Sequence, residues 1–239
     1  MVKGIHTNAG AMRAALVAQD ILANNLANAS TPGFRQSRVG FHLAAQGGPP
    51  IDGAAPTLPM PEPVARIDTA PGTFQVTDDR FDLAIQGEGY FVVQTEGGER
   101  YTRSGHFLLA DDGTLVTPQG DPVLADGGPV LVPPGAELGV AADGTLSAGD
   151  QSLGRLQVVT FEDGAAGLLH SGAGLLSATG AAVPSENARV LQGVLESPNT
   201  AAVQTMVDMI TLLRHFEMNQ RAIRTQDETL GRLIDWARQ

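Results

Sequence analysis

The chain has 239 residues and a formal net charge of −11, from 15 Lys and Arg against 26 Asp and Glu. That excess repels phosphate backbones and argues against nucleic acid as a partner, and the absence of cysteine removes disulfides, thiolate nucleophiles and cysteine-ligated metals. Only 5% of the residues are aromatic while Gly numbers 29 and Pro 15, so the core is expected to be aliphatic and many segments short and turning.

In chain order, Ile5, Ala9, Met12, Leu16, Gln19, Ala23 and Leu26 step by four and three, which predicts a seam along one face of a first helix rich in alanine. The helix should stop near Asn28-Ala29-Ser30-Thr31-Pro32-Gly33, because a proline disfavours helical geometry in the residue before it and Gly33 supplies a sharp turn. Residues 1–33 are therefore read as the first half of a terminal helical domain. Residues 34–65 concentrate Gly47, Gly48, Pro49, Pro50, Gly53, Pro56, Pro59, Pro61 and Pro63 and read as an extended Gly/Pro-rich arm.

Residues 66–182 read as an all-β domain. Phe81, Leu83 and Ile85 alternate, Tyr90-Phe91-Val92-Val93-Gln94 forms a buried strand, and Glu96-Gly97-Gly98-Glu99 turns the chain back through Arg100-Tyr101-Thr102-Arg103. Asp111-Asp112-Gly113-Thr114, Asp126-Gly127-Gly128, Ala142-Asp143-Gly144-Thr145 and Asp163-Gly164 repeat the turn chemistry between short apolar runs, a spacing that suggests hairpins in a sandwich or partial barrel.

Residues 183–239 are read as the last helix. Val203, Met206, Met209, Leu213, Phe216, Gln220, Ile223, Asp227, Leu230, Ile234 and Ala237 step by three and four without a break. The fold class expected is thus α+β: terminal seam helices forming a coiled-coil-like domain, with an all-β domain inserted between them. Charge follows the same division, since residues 42–185 carry five basic and eighteen acidic side chains while both ends are near neutral and could pack against copies of themselves.

Sites of chemistry are sparse. His6, His42, His106, His170 and His215 fall in separate segments with no metal-ligand spacing, Ser104-Gly105-His106 lacks the elbow of a serine nucleophile, and neither Asp78-Asp79 nor Asp111-Asp112 continues as a calcium loop. No catalytic, cofactor or metal residue is assigned. No stretch approaches the ~18 uninterrupted apolar residues of a spanning helix, and the apolar block of about 7–15 residues expected of a secretory signal does not follow Lys3.

Three stretches carry a resemblance that periodicity does not supply. Asn24-Asn25-Leu26-Ala27-Asn28-Ala29-Ser30-Thr31-Pro32-Gly33-Phe34 resembles the ANNLANxxTxGF signature of the flagellar rod and hook protein family. Asp82-Leu83-Ala84-Ile85-Gln86-Gly87-Glu88-Gly89-Tyr90-Phe91 with Tyr101-Thr102-Arg103-Ser104-Gly105-His106-Phe107 is similar to its central DLAIxGxGFF and YTRxGxF segments, and Leu191-Gln192-Gly193-Val194-Leu195-Glu196-Ser197-Pro198-Asn199 to its QGxLExSN ending. Arg214-His215-Phe216-Glu217-Met218 looks more like the proximal than the distal rod branch.

The resemblance implies a non-enzymatic structural subunit of the bacterial flagellar basal-body rod, exported by the flagellar type III machinery without a cleaved signal peptide. Its implied partners are further copies of itself and other rod proteins. The residues expected at the assembly interface are Leu16, Asn25, Leu26, Asn28, Phe34, Met206, Leu213, Phe216, Ile223 and Leu230, with the turn from Asn25 to Phe34 setting the angle at which the helix leaves. A β-domain binding module dimerised by its helices is the rival reading, and a hydrolase using the acidic turns the weakest one.

Overall fold

A computed structural model describes residues 2–43, 61–149, 151–162, 164–185 and 187–237. The fold is mixed α+β, with one helix near each end, α1 (Val2–Ala27) and α2 (Ala202–Ala237), and short antiparallel strands between them. The chain divides into two compact units, one of Met1–Leu26, Ser37–Ala65 and Ala202–Gln239, the other of Ala27–Gln36 and Arg66–Ala201.

In the first unit the helices are joined by strands Ser37–Leu43 and Pro61–Ile67, which pair as a two-stranded sheet. The ends of the expected Gly/Pro-rich arm are therefore strands, and proline is tolerated there because an edge position needs no amide donor. Gly47, Gly48, Pro49, Pro50, Gly53, Pro56 and Pro59 lie outside the described residues. α1 closes near the sequence signal: the amide of Thr31 donates to the Asn28 carbonyl at 3.0 Å, and Gly33 takes a φ of +68°.

The faces that the helices cover overlap the expected seams only in part, at Met12 and Leu26 on α1 and at Met209, Phe216, Gln220 and Ile223 on α2, all half-buried. On α1, Ile21 and Asn25 are buried and Ala14, Val17, Ala18 and Leu22 half-buried, while Leu16, Gln19 and Ala23 of the expected seam are exposed. On α2, Thr205 is buried and Met209, Leu212, Phe216, Asn219, Gln220 and Ile223 are half-buried, whereas Val203, Met206 and Leu213 are exposed. Positions 205, 209, 212, 216, 219 and 223 also repeat by four and three. The apolar arc of α2 is wide enough to hold two adjacent stripes, and periodicity alone does not choose between them. The side chains of Asp227, Leu230, Ile234 and Ala237 lie outside the described residues.

The second unit is built on a six-stranded antiparallel sheet in the order Leu168–Gly172, Leu175–Ala178, Gly98–Thr102, Tyr90–Thr95, Val158–Phe161, Ala182–Pro184. The central hairpin forms where expected but turns more tightly, through Glu96-Gly97 alone, with Gln94 opposite Glu99 and Thr95 opposite Gly98, and Gly98 adopts a φ of +97°. A three-stranded sheet, Leu138–Val140, Thr145–Ala148 and Gln151–Arg155, adds a further layer. Strand Leu83–Gln86 pairs with Arg189–Gln192, and Phe74–Val76 with Val194–Glu196. The β structure thus runs to Glu196, beyond the expected limit at residue 182, and residues 183–201 belong with the strands instead of the last helix.

The core is aliphatic around one aromatic pair. Leu83, Ile85, Val93, Leu115, Val123, Val130, Leu146 and Leu156 are buried about Phe91 and Phe107, whose rings meet edge to face at 5.3 Å. Two of the acidic turns are the same loop used twice. In each an Asp carboxylate accepts the amide of the following Thr, Asp112 from Thr114 at 2.9 Å and Asp143 from Thr145 at 3.0 Å, and the next residue, Leu115 or Leu146, enters the core. These carboxylates therefore shape turns, and among the described residues no cluster suits a metal ion.

Gly105 shows how close the strand crossings are: a Cβ there would lie 1.5 Å from the Leu83 carbonyl oxygen, and the Leu83 amide donates to the Gly105 carbonyl at 2.9 Å. Gly105→Ala is expected to cost more than about 3 kcal/mol in urea unfolding, because the strand must shift to admit the methyl. Gly127→Ala, which meets nothing within 4 Å, should stay within about 0.5 kcal/mol of wild type.

Candidate functional site

The second unit buries a charged cluster where a hydrophobic core would be the simpler choice. Glu196, Arg35 and Arg103 are exposed by only 1%, 4% and 4%. Glu196 Oε1 receives Arg35 Nη2 at 2.8 Å and Oε2 receives Arg103 Nε at 2.7 Å, so one carboxylate joins two guanidiniums. Arg103 donates further to the carbonyls of Gly89 at 2.5 Å, Ile85 at 2.6 Å and Gly87 at 2.8 Å, and Arg35 Nη1 to that of Ala70 at 2.6 Å. Glu196 Oε1 also accepts the amide of Gly72 at 2.8 Å, and its backbone carbonyl accepts that of Gly33 at 2.6 Å.

This arrangement answers much of the cost of burying charge, since both Glu196 oxygens and most of the Arg103 donors are matched. Burial still draws the Arg35 guanidinium below its ordinary value, with Glu196 opposing the shift and Arg103 adding to it. A second polar knot lies beside it. Asn199 Oδ1 accepts the Gln36 amide at 2.7 Å while its Nδ2 donates to the carbonyls of Asp68 and Ala70 at 2.9 Å each.

Local sequence explains how these side chains arrive. Gly33, at positive φ, lets the turn pass so close to the next strand that a Cβ would sit 2.3 Å from the Arg103 carbonyl oxygen. The next residue, Phe34, is buried and stacks on His170 at 5.1 Å with a 22° interplanar angle, and Arg35 follows into the cluster. Gly72 has the same function on the other side, where a Cβ would lie 1.8 Å from the Ser197 carbonyl oxygen.

The expected interface residues divide by this geometry. Phe34 and Asn25 are buried inside the chain, Asn25 exchanging two 2.8 Å hydrogen bonds with the Ser37 backbone, donor to its carbonyl and acceptor from its amide. Asn28 is half-buried and accepts the Thr31 hydroxyl at 3.3 Å. Leu16, Met206 and Leu213 are exposed, Leu26, Phe216 and Ile223 half-buried, and the side chain of Leu230 lies outside the described residues. Arg35, Arg103, Glu196 and Asn199 were not expected at a site, although charged residues inside otherwise apolar motif segments are the signal that marks them.

Three family profiles match the chain. They are those of the flagella basal body rod protein over residues 5–35, the flagellar hook protein FlgE/F/G D1 domain over 84–148, and the flagellar basal body rod FlgEFG protein C-terminal region over 191–235. The chain is 39% identical to flagellar basal-body rod protein FlgF of Salmonella typhimurium and 38% to that of Escherichia coli, with 97% of each chain covered. It belongs to the flagellar rod and hook protein family. With flagellar basal-body rod protein FlgG of Bacillus subtilis it shares 32% identity over the whole of both chains.

Each of the three family regions sends one charged group to the cluster: Arg35 from the first, Arg103 from the second and Glu196 from the third. Three stretches far apart in the sequence, Arg103 and Glu196 alone being 93 positions apart, are thus tied at a single carboxylate. Glu196→Ala, which strands two buried guanidiniums, should lower stability by about 3–5 kcal/mol in denaturant titration, with Glu196→Gln recovering only part of it.

His170 adds a pH dependence. Its Nε2 is buried with no partner and its neighbours are Phe34 and the Arg35 backbone, so burial holds the imidazole below its ordinary value of 6.5. The unfolded chain takes up the proton first as pH falls, so stability present above pH 6.5 is lost as pH drops from there toward the lower folded value. His170→Phe keeps a ring against Phe34. Its stability relative to wild type should rise between about pH 7.5 and about pH 5.0, as read by thermal unfolding at each pH.

Proposed function

We propose that this chain is a structural subunit of the flagellar basal-body rod that assembles through the exposed apolar faces of its terminal helices. The observation that carries the reading is the full-length similarity to proteins named as flagellar basal-body rod proteins, which places the chain's localisation at the rod. Their names describe a structural component, and nothing in the buried cluster offers an open titratable pair for catalysis.

Val203, Met206, Val207, Ile210 and Leu213 expose a continuous apolar strip along α2, with Leu16 exposed on α1. Such a strip costs solubility in a lone chain and is supported by a role between subunits, which would include other copies of this chain and neighbouring rod proteins. Phe216 and Ile223 on α2 and Leu26 on α1 are half-buried, so they would take part in assembly less directly than the strip; Leu230 repeats the spacing of Phe216 and Ile223 along α2. Asn25, Asn28 and Phe34 act indirectly, by fixing the turn from which α1 leaves. Torque would pass from the helices through that turn into the β unit. The Arg214–Met218 sequence and the higher identity to FlgF than to FlgG relatives favour the proximal rod branch, with the distal branch as the second reading. Delivery by the type III export machinery follows from the same family resemblance, and no helix among the described residues is long and apolar enough to cross a membrane.

Leu213→Asp and Met206→Asp should leave the unfolding transition within about 0.5 kcal/mol of wild type, since both side chains are exposed. Cells carrying either variant as their sole copy should lose swimming in soft agar and yield basal bodies without complete rods. Normal rods from both variants would contradict assembly through this strip.

A further inference from the structure

A cavity of about 620 Å³ opens over the buried cluster, within the second unit. Arg35, Arg103 and Tyr90 line it together with Phe74, Phe161 and Pro71. Two features make it a site and not a gap. Tyr90 is buried, yet among the described residues its hydroxyl makes no hydrogen bond, and burial keeps the phenol protonated by raising its pKa. Arg35 commits two of its guanidinium hydrogens, to Ala70 and to Glu196, and leaves the remainder without a protein acceptor among the described residues. Two arginines share one carboxylate, so the cluster keeps an excess positive charge.

The wall of this cavity ends in an unprotected strand. Phe74–Val76 pairs with Val194–Glu196 on one edge only. Because the Thr73 carbonyl accepts from Ser197 and the Thr77 amide donates to Gly193, both at 2.8 Å, the odd-numbered residues face the partner strand. Phe74 and Val76 therefore turn their backbone N–H and C=O groups outward. Their side chains are 43% and 75% exposed, and this three-residue edge carries no charged side chain.

We propose that this edge and cavity together bind an extended peptide segment of another polypeptide, adding it as a strand beside Phe74–Val76 and receiving one of its acidic side chains between Arg35 and the Tyr90 hydroxyl. The occupant is argued from charge and shape. Backbone pairing supplies affinity to any extended chain, while the guanidinium of Arg35 and the Tyr90 hydroxyl on the lining favour a carboxylate over an amide. Glu88 is the one exposed acidic residue on the lining and opposes an incoming carboxylate from the rim. This site is separate from the helix strip, so it stands or falls independently of the assembly proposed above.

The test uses the full isotope-labelled chain and two blocked hexapeptides of alternating Thr and Val, one with a central Glu and the other with Gln in its place. Amide shifts on titration should concentrate at 70–76 and 87–90, and the Glu peptide should bind about tenfold tighter than the Gln peptide at low salt. Tyr90→Phe, which keeps the ring, should remove a several-fold part of that preference by weakening the Glu peptide more than the Gln peptide. Glu88→Gln should strengthen binding of the Glu peptide about twofold to fivefold. Equal affinity for the two peptides, shifts elsewhere on the chain, or no binding by a folded protein would overturn the proposal. So would concentration-dependent self-pairing at 74–76 without peptide, seen by sedimentation, because the occupant would then be a second copy.

Discussion

Everything in the β unit that bears on the helices depends on one buried carboxylate. Glu196 holds Arg35 and Arg103 in a space from which water is nearly excluded, and it accepts a backbone amide through the same side chain. A buried ion cluster of this kind is not a cheap source of stability, because an apolar replacement of equal volume is often as stable. What it supplies is uniqueness of arrangement. Each guanidinium has one geometry that satisfies its carbonyl acceptors, and a slip of one residue in any of the three contributing segments leaves charge unmatched.

The position of those segments along the chain gives the cluster its mechanical meaning. Arg35 lies eight residues after the end of α1, and Glu196 six residues before the start of α2. The chain therefore passes into both helices from residues clamped at the same carboxylate. Within the β unit, short charge-assisted bonds and close-packed glycine crossings hold these segments with little play, whereas purely apolar contacts could slide.

Much of this was legible in the sequence. Alternation and the Glu96 to Glu99 turn located the central hairpin, and Asn28 to Gly33 marked the end of the first helix within one or two residues. The motif stretches pointed to the three family regions. Helix faces were less legible, because α2 carries apolar residues on a wide arc and a three-four repeat fits either of two neighbouring stripes. The strands before α2 were short and ran straight into it, so their period-two signal was lost. The cluster itself was invisible for a different reason: Arg35, Arg103 and Glu196 read singly as solvated charges, and nothing in spacing alone brings residues so far apart to one point. The exposed strand Phe74–Val76 and the Tyr90 hydroxyl likewise acquire meaning only from what does not pair with them.

The central claim is that one carboxylate couples the three segments, and native-state hydrogen exchange tests it most directly. In Glu196→Gln, the amides of Gly33, Gly72 and Gly193 should lose protection together, because the turn, the loop before Phe74 and the strand pairing at 193 are held through one knot. Val92 and Val93, in the middle of the sheet, should keep theirs. Loss confined to Gly72, the one amide bonded to the substituted side chain, would contradict the account and reduce the cluster to a local contact.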